Sequence, residues 1–426
     1  MKLNPYSLLQ DPLFQEGYEK AVEILHACAT DTGFLASPTR KDNYRRIWAR
    51  DGVVIGMAGL LIQDPVLVEA MKQTLQTLAD HQGPHGEIPS NVDTASGRVS
   101  YGGMTGRVDA DLWFIIGCGE YWLQTGDDSF LGRILPSLKK VRFLLGAWEF
   151  NNRGLLYVPE TGDWADEYIH NGFVLYDQLL YLQAFKTLAA VNRRWHDSTD
   201  HQLQEDISRL KRLIRANYWF KENDEVPADV YHEILYKKGR TAADRCALQY
   251  WAPFFSPHGY GYRFDSLANI LVSLLGVADT QQQESVELYI RKNIMIGKEH
   301  VMPAFYPVIK PPDHDWEELK MTFSYTFKNQ PYQYHNGGLW PMISGFYTAD
   351  LARRGKTEAA AAHLKEIHRA NRLEMESTPW SFPEYVHGAD GTAQGTFHQG
   401  WSAAGAVIGH FALKDQPFFT VGESDA

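Results

Sequence analysis

The chain has 426 residues, a formal net charge of -11 and three cysteines, with an isoelectric point near 5.8; without a long Lys/Arg run this argues against nucleic acid and anionic membrane as partners. Cys28, Cys118 and Cys246 lie far apart with no CxxC, so the pattern indicates neither a disulfide framework nor a zinc site. The start "MKLNPYSLLQ" has no basic flank before a long apolar core, and no run reaches spanning length, which reads as a cytoplasmic protein.

Helices follow one another along the chain. "PVLVEAMKQTLQTLADH" sets Val66, Val68, Met71, Leu75 and Leu78 near helical spacing, and the segment from Asp109 to Phe150 reads as two helices joined at "TGDD". "LYDQLLYLQAFKTLAAVNRRW", "HQLQEDISRLKRLIRANYW", "FDSLANILVSLLGV" and "QQESVELYIRKNIM" continue the series, and "GGLWPMISGFYTADLARRG", "TEAAAAHLKEIHRANRLE" and "GWSAAGAVIGHFAL" complete it. This predicts about a dozen helices in an all-α fold with no hairpin meander. Between alternate helices lie long loops such as "KDNYRRIWARDG" and "YVPETGDWADEYIHNG", too rich in Trp, Tyr, Gly and Pro to be disordered. Rich loops recurring on one side of helix hairpins predict an α/α toroid of about six hairpins, a single domain over 1–426, with a pocket on the loop face.

The loops carry the acids. "PWSFPEYVHG" holds Glu384 in a stiff aromatic segment that neither helix nor central strand would choose. "ETGDWADEY" sets Glu160, Asp163, Asp166 and Glu167 around Trp164. Hydrolysis of a glycosidic bond needs one protonated carboxyl and one ionised carboxylate, and desolvation beside Trp164 is expected to keep an acid protonated near neutrality. Helix capping or an arginine pair explains such acids equally well on local grounds. Trp113, flanked by "FII", reads as core as readily as platform. His81 and His85 have no metal spacing, and the pattern calls for no cofactor or metal.

"RDG" before an apolar helix, "GRVDADLWFII", "YRFDSLANILVSLLG", "YHNGGLWP" and "FPEYVHGADGTAQGTFHQGWSAAGAV" stand in the order and at the spacing that resemble the alkaline/neutral invertases, glycoside hydrolase family 100. Several of these segments also resemble the catalytic domain of amylo-α-1,6-glucosidases. The resemblance covers residues from about 40 to 412. It implies an (α/α)6 barrel and an inverting, exo-acting glycosidase, with the acid on Asp166 and the base on Glu384; Asp163 is the rival acid. It favours sugar contact by Arg50 and Asp51, and with Trp48, Asp109, Trp113, Asp163 and Trp164 these form the first part of the implied saccharide-binding set. Tyr334, His335, Gln399 and Trp401 complete it. Around the acid the likeness breaks: two arginines of the invertases are absent, and Asp177 stands where they carry a glutamate.

The expected substrate is a small saccharide, a sucrose-like disaccharide first and an α-glucoside second. The oligomeric state is open, a homo-oligomer included. A sugar 2-epimerase on the same kind of barrel is the reading from another class, with His170, His335 or His398 as base. A sugar-binding barrel without turnover is the third.

Overall fold

The computed structural model describes residues 9–196, 198–221, 225–296, 300–322 and 325–421; the first eight residues and the last five of the expected domain lie outside them. Its helices in chain order are α1 (Pro12–Cys28), α2 (Ala49–Ile62), α3 (Pro65–Asp80), α4 (Val108–Thr125) and α5 (Asp128–Ala147). Then come α6 (Leu175–His196), α7 (His201–Tyr218), α8 (Glu233–Arg245), α9 (Ser266–Leu274) and α10 (Thr280–Tyr289), the last running into a π-turn at Ile290–Ile294. The series ends with α11 (Trp316–Leu319), α12 (Pro341–Arg353), α13 (Thr357–Asn371) and α14 (Gly400–Ala412).

Two kinds of helix alternate. α1, α3, α5, α7 and α10 each begin at an aspartate, Asp11, Asp64, Asp127, Asp200 and Asp279, whose carboxylate accepts from the first-turn backbone. These helices bury one stripe, as in α3, where Leu67, Met71, Leu75 and Leu78 face inward while Val66 is exposed. In contrast α2, α4, α6, α9, α12 and α14 are buried almost all round. They pack in a closed ring, α2 on α4, α4 on α6, α6 on α9, α9 on α12, α12 on α14 and α14 back on α2. Close approach of α12 and α14 depends on Gly345 and Gly405, since a Cβ on Gly345 would come within 2.5 Å of the Gly405 Cα. With the other helices outside, the ring is the (α/α)6 barrel that the hairpin pattern predicts.

α1, α8, the four-residue α11 and the strand pairings were not expected from the sequence. α1 and α8 each carry an interior glycine, Gly17 and Gly239, which weakens the helical signal. The loops also contain short antiparallel pairings, including three-stranded sheets at 47–48, 91–93 and 98–100 and at 173–174, 254–256 and 259–260. Strands of two or three residues are too short for alternation to register. Among the described residues no helix is long and apolar enough to cross a membrane.

Candidate active site

At the entry to the ring, the caps change. α2, α4, α12 and α14 start at Trp48, Arg107, Trp340 and Gln399, none of which caps with its side chain. Their positive dipole ends sit on the loop face, and Asp51, Asp109, Asp111 and Asp177 occupy first turns there. Above them opens a cavity of about 200 Å³, walled by Tyr44, Trp48, Arg50, Asp51, Arg107, Trp164, Asp166, Lys328, Tyr334, Glu384 and Trp401, with Gly102, Gly103 and Tyr325 also in its lining.

Glu384 enters from a segment locked between α13 and α14. Ser381 and Phe382 donate backbone N–H to Leu373 and Asn371, and the amides of His398 and Gln399 donate back to Ser381 and Phe382. Trp380 and Phe382 adopt left-handed backbone, at φ 52 and 45; such conformations persist only where surroundings impose them. Gly395, at φ +79, passes so near that a Cβ there would meet Glu384 Oε2 at 2.2 Å. The Tyr44 hydroxyl donates to Glu384 Oε1 at 2.6 Å and the Thr396 amide to Oε2 at 3.3 Å. Burial pushes the Glu384 carboxyl up, and Lys328, Tyr44 and Thr396 offset only part of that.

Asp166 stands on the loop between α5 and α6, tied at its base by reciprocal Val158 and Gly172 hydrogen bonds. Arg107 donates to Asp166 Oδ2 at 3.1 Å, and the Tyr334 hydroxyl reaches Oδ1 at 3.4 Å. The expectation of a desolvated, protonated acid fails here. Burial does push Asp166 up, but Arg107, with Arg50 and Lys328, outweighs it and holds the carboxyl below its ordinary value. Trp164 is in place beside it; the cations decide the sign.

Of the residues singled out in the sequence, Trp48, Arg50, Asp51, Trp164, Asp166, Tyr334, Glu384 and Trp401 line this cavity. Asp109, Trp113, Asp163, His335 and Gln399 do not; all five are buried behind its wall. Asp109 accepts from Arg50 at 3.2 Å, and Gln399 donates to Asp51 at 3.3 Å, so both hold residues that do face the cavity. Trp113 donates to Tyr176 and stacks on Phe419 in the core. Asp163 binds the Ala165 amide and His170 Nδ1 at 2.8 and 2.9 Å, which occupies the rival acid away from the cavity. His335 lies against Trp340 and Trp164, and burial lowers it to about 3, so its ring is neutral. No histidine lines the cavity among the described residues, which leaves an epimerase mechanism without its base.

Tyr44, Arg107 and Lys328 were missed. Tyr44 and Lys328 sit in aromatic loops that do not distinguish them from neighbours, but Arg107 directly precedes the acidic first turn of α4 in "GRVDADLW", a readable signal for an anion partner. Several cavity residues also carry buried polar atoms without a hydrogen bond: Arg50 Nε, Arg107 Nε, Trp164 Nε1 and Trp401 Nε1, and Asp51 Oδ2, which has only its 3.5 Å ion pair with Arg50. Buried polar groups are ordinarily paired. A wall with so many unmet donors and acceptors, interleaved with indole rings, suits a polyhydroxylated ligand.

Residues 248–417 match the family model described as alkaline and neutral invertase, and residues 41–147 match the one described as amylo-alpha-1,6-glucosidase. "Probable alkaline/neutral invertase D" of Arabidopsis thaliana is 24% identical, over 88% of this chain and 76% of that protein. "Cytosolic invertase 1" of Oryza sativa subsp. japonica is also 24% identical, over 88% and 72%. The protein is a glycoside hydrolase whose sequence is similar to those of the alkaline and neutral invertases. Its fold is that of the GH63 mannosylglycerate hydrolase from Thermus thermophilus, with a TM-score of 0.63 at 14% identity over 92% of this chain and 99% of that one. A bacterial glucoamylase complexed with acarbose aligns with the same score at 14% identity, over 97% of this chain and 58% of that one. The two family matches place Arg50 and Asp51 in one and Glu384 in the other, while the loop bearing Asp166 falls between them.

Proposed function

We propose that the protein is an inverting, exo-acting glycoside hydrolase of a small saccharide, with a sucrose-like disaccharide as substrate. The observation that carries this is the meeting of Asp166 and Glu384 in one cavity whose wall holds unpartnered sugar-binding groups. In this reading Asp166 gives its proton to the glycosidic oxygen as the bond to the anomeric carbon breaks. Glu384 takes a proton from the water that attacks the opposite face, and the product carries the inverted anomer. Asp166 starts ionised, so it takes up its proton as the sugar displaces water and engages Arg107. A cavity of about 200 Å³ accommodates one sugar ring, with the leaving group directed towards the exposed ring of Tyr325 in the same lining.

One observation favours a second substrate class. The segment with Tyr44, Arg50 and Asp51 matches the amylo-alpha-1,6-glucosidase model, which supports an α-glucoside. A disaccharide panel with the product anomer read by NMR tests both. Release of the inverted anomer from sucrose supports the first reading, turnover of an α-glucoside alone supports the second, and a retained anomer sinks the inverting mechanism.

A further inference from the structure

The loop that carries Asp166 has a second side. Asp166 and Glu167 face the first cavity, whereas Tyr168, Ile169, His170 and Asn171 line another of about 320 Å³, closed by residues 253–263, Phe305, Asp315 and Glu318. The partition between the two is a ladder of rings. Trp164, which lines the first cavity, stacks on Phe305 at 6.0 Å, and Phe305 stacks on Tyr168 at 4.2 Å with the planes 10° apart. The Asp163–His170 hydrogen bond of 2.9 Å runs through the same loop.

The lining of this second cavity is aromatic and poor in net charge. Tyr168, Phe254, Tyr260 and Phe305 present ring surface. Arg263 is neutralised by Asp315 at 2.7 Å, and His170 by Asp163. Two lining residues nevertheless carry buried polar atoms with no partner: the Tyr168 hydroxyl and Arg263 Nε. Rings that offer apolar faces, beside unmet hydrogen-bonding groups and no uncompensated cation, fit a neutral polyhydroxylated ligand better than an anion or a lipid.

We propose that this cavity is a second saccharide-binding site, separate from the hydrolytic pocket, and that its occupation stiffens the loop bearing Asp166. The assignment does not depend on which glycoside the first pocket cleaves. Filling the cavity braces Tyr168 and Phe305 from behind, and through them Trp164.

The test is calorimetric titration of the Glu384→Gln enzyme with glucose, maltose and sucrose in turn. At least one of these should bind at two sites. His258→Trp, which fills the exposed rim of the second cavity, should abolish one site and leave the other unchanged. In the otherwise wild-type enzyme the same substitution should leave hydrolysis intact at sugar concentrations too low to fill the second site, showing a folded barrel. Arg263→Met, which removes the unpaired donor from the wall, should weaken the same site. A one-site isotherm for all three sugars overturns the proposal, and so does a second site that survives both substitutions.

Discussion

Glu384 and Asp166 share one cavity but not one electrostatic setting, and the difference makes their roles separable. Glu384→Gln keeps the Tyr44 contact and removes the proton acceptor, so kcat should fall by about 10²–10⁴-fold with binding retained in a titration; near wild-type turnover would remove Glu384 from the mechanism. Asp166→Asn should nearly abolish cleavage of a natural disaccharide yet spare the matching glycosyl fluoride, whose departure needs little proton donation. Arg107 supplies a sharper measurement. It is the first cation opposing the burial that would raise Asp166, so Arg107→Met should raise that carboxyl. A raised acid is protonated in a larger share of molecules whose Glu384 is ionised, so the acidic limb of the kcat/KM profile, which the lower carboxyl sets, should move upward. A limb that stays put would remove Asp166 from the acid's role. Arg107 was readable as a cation awaiting an anion, but its partner was not, because the ion pair joins it to a residue 59 positions away.

The loops between helices carried most of the readable chemistry, and the helix starts were read less well. "PWSFPEYVHG" and "ETGDWADEY" pointed to the cavity once the family resemblance was added, since capping or an arginine pair explains such acids equally well on local grounds. Asp109, Trp113 and Gln399 were drawn from motifs at helix entries, where a one-dimensional pattern cannot tell the first residue facing the opening from one a turn deeper. The strand pair at 385–386 and 393–394 turns back over Glu384 through Gly395, and this element is open to a direct test. Gly395→Ala imposes strain at a positive φ and a clash with the carboxylate; it should destabilise by about 1 kcal/mol or more and lower kcat further than the lost stability explains. Unchanged kinetics together with an unchanged melting temperature would show that the turn moves freely.

Across the whole molecule, the toroid was legible because helix follows helix with long aromatic loops recurring between alternate pairs, a pattern that local sequence carries. Ring order and closure were not, since they depend on contacts hundreds of residues apart. The interior has one conspicuous cost. Asp177, at the start of α6, is fully buried with neither oxygen partnered, and burial, reinforced by Asp163 and Asp109, pushes it well above its ordinary 3.8. The folded protein therefore keeps a proton that the unfolded chain releases above 3.8, so stability falls as pH rises from there towards the folded value. Asp177→Asn should raise the melting temperature at neutral pH and flatten that slope; a lower melting temperature at every pH would mean that the carboxyl has an unseen partner. The Tyr44 hydroxyl that holds Glu384 comes from a residue 340 positions earlier, and α14 closes the ring against both α1 and α2. A growing chain therefore has neither Glu384 nor the helix that closes the ring until nearly all of it is made. With Glu384 as the proposed base, hydrolysis should begin only once that helix has cleared the exit tunnel and docked, and a truncated product should be inert.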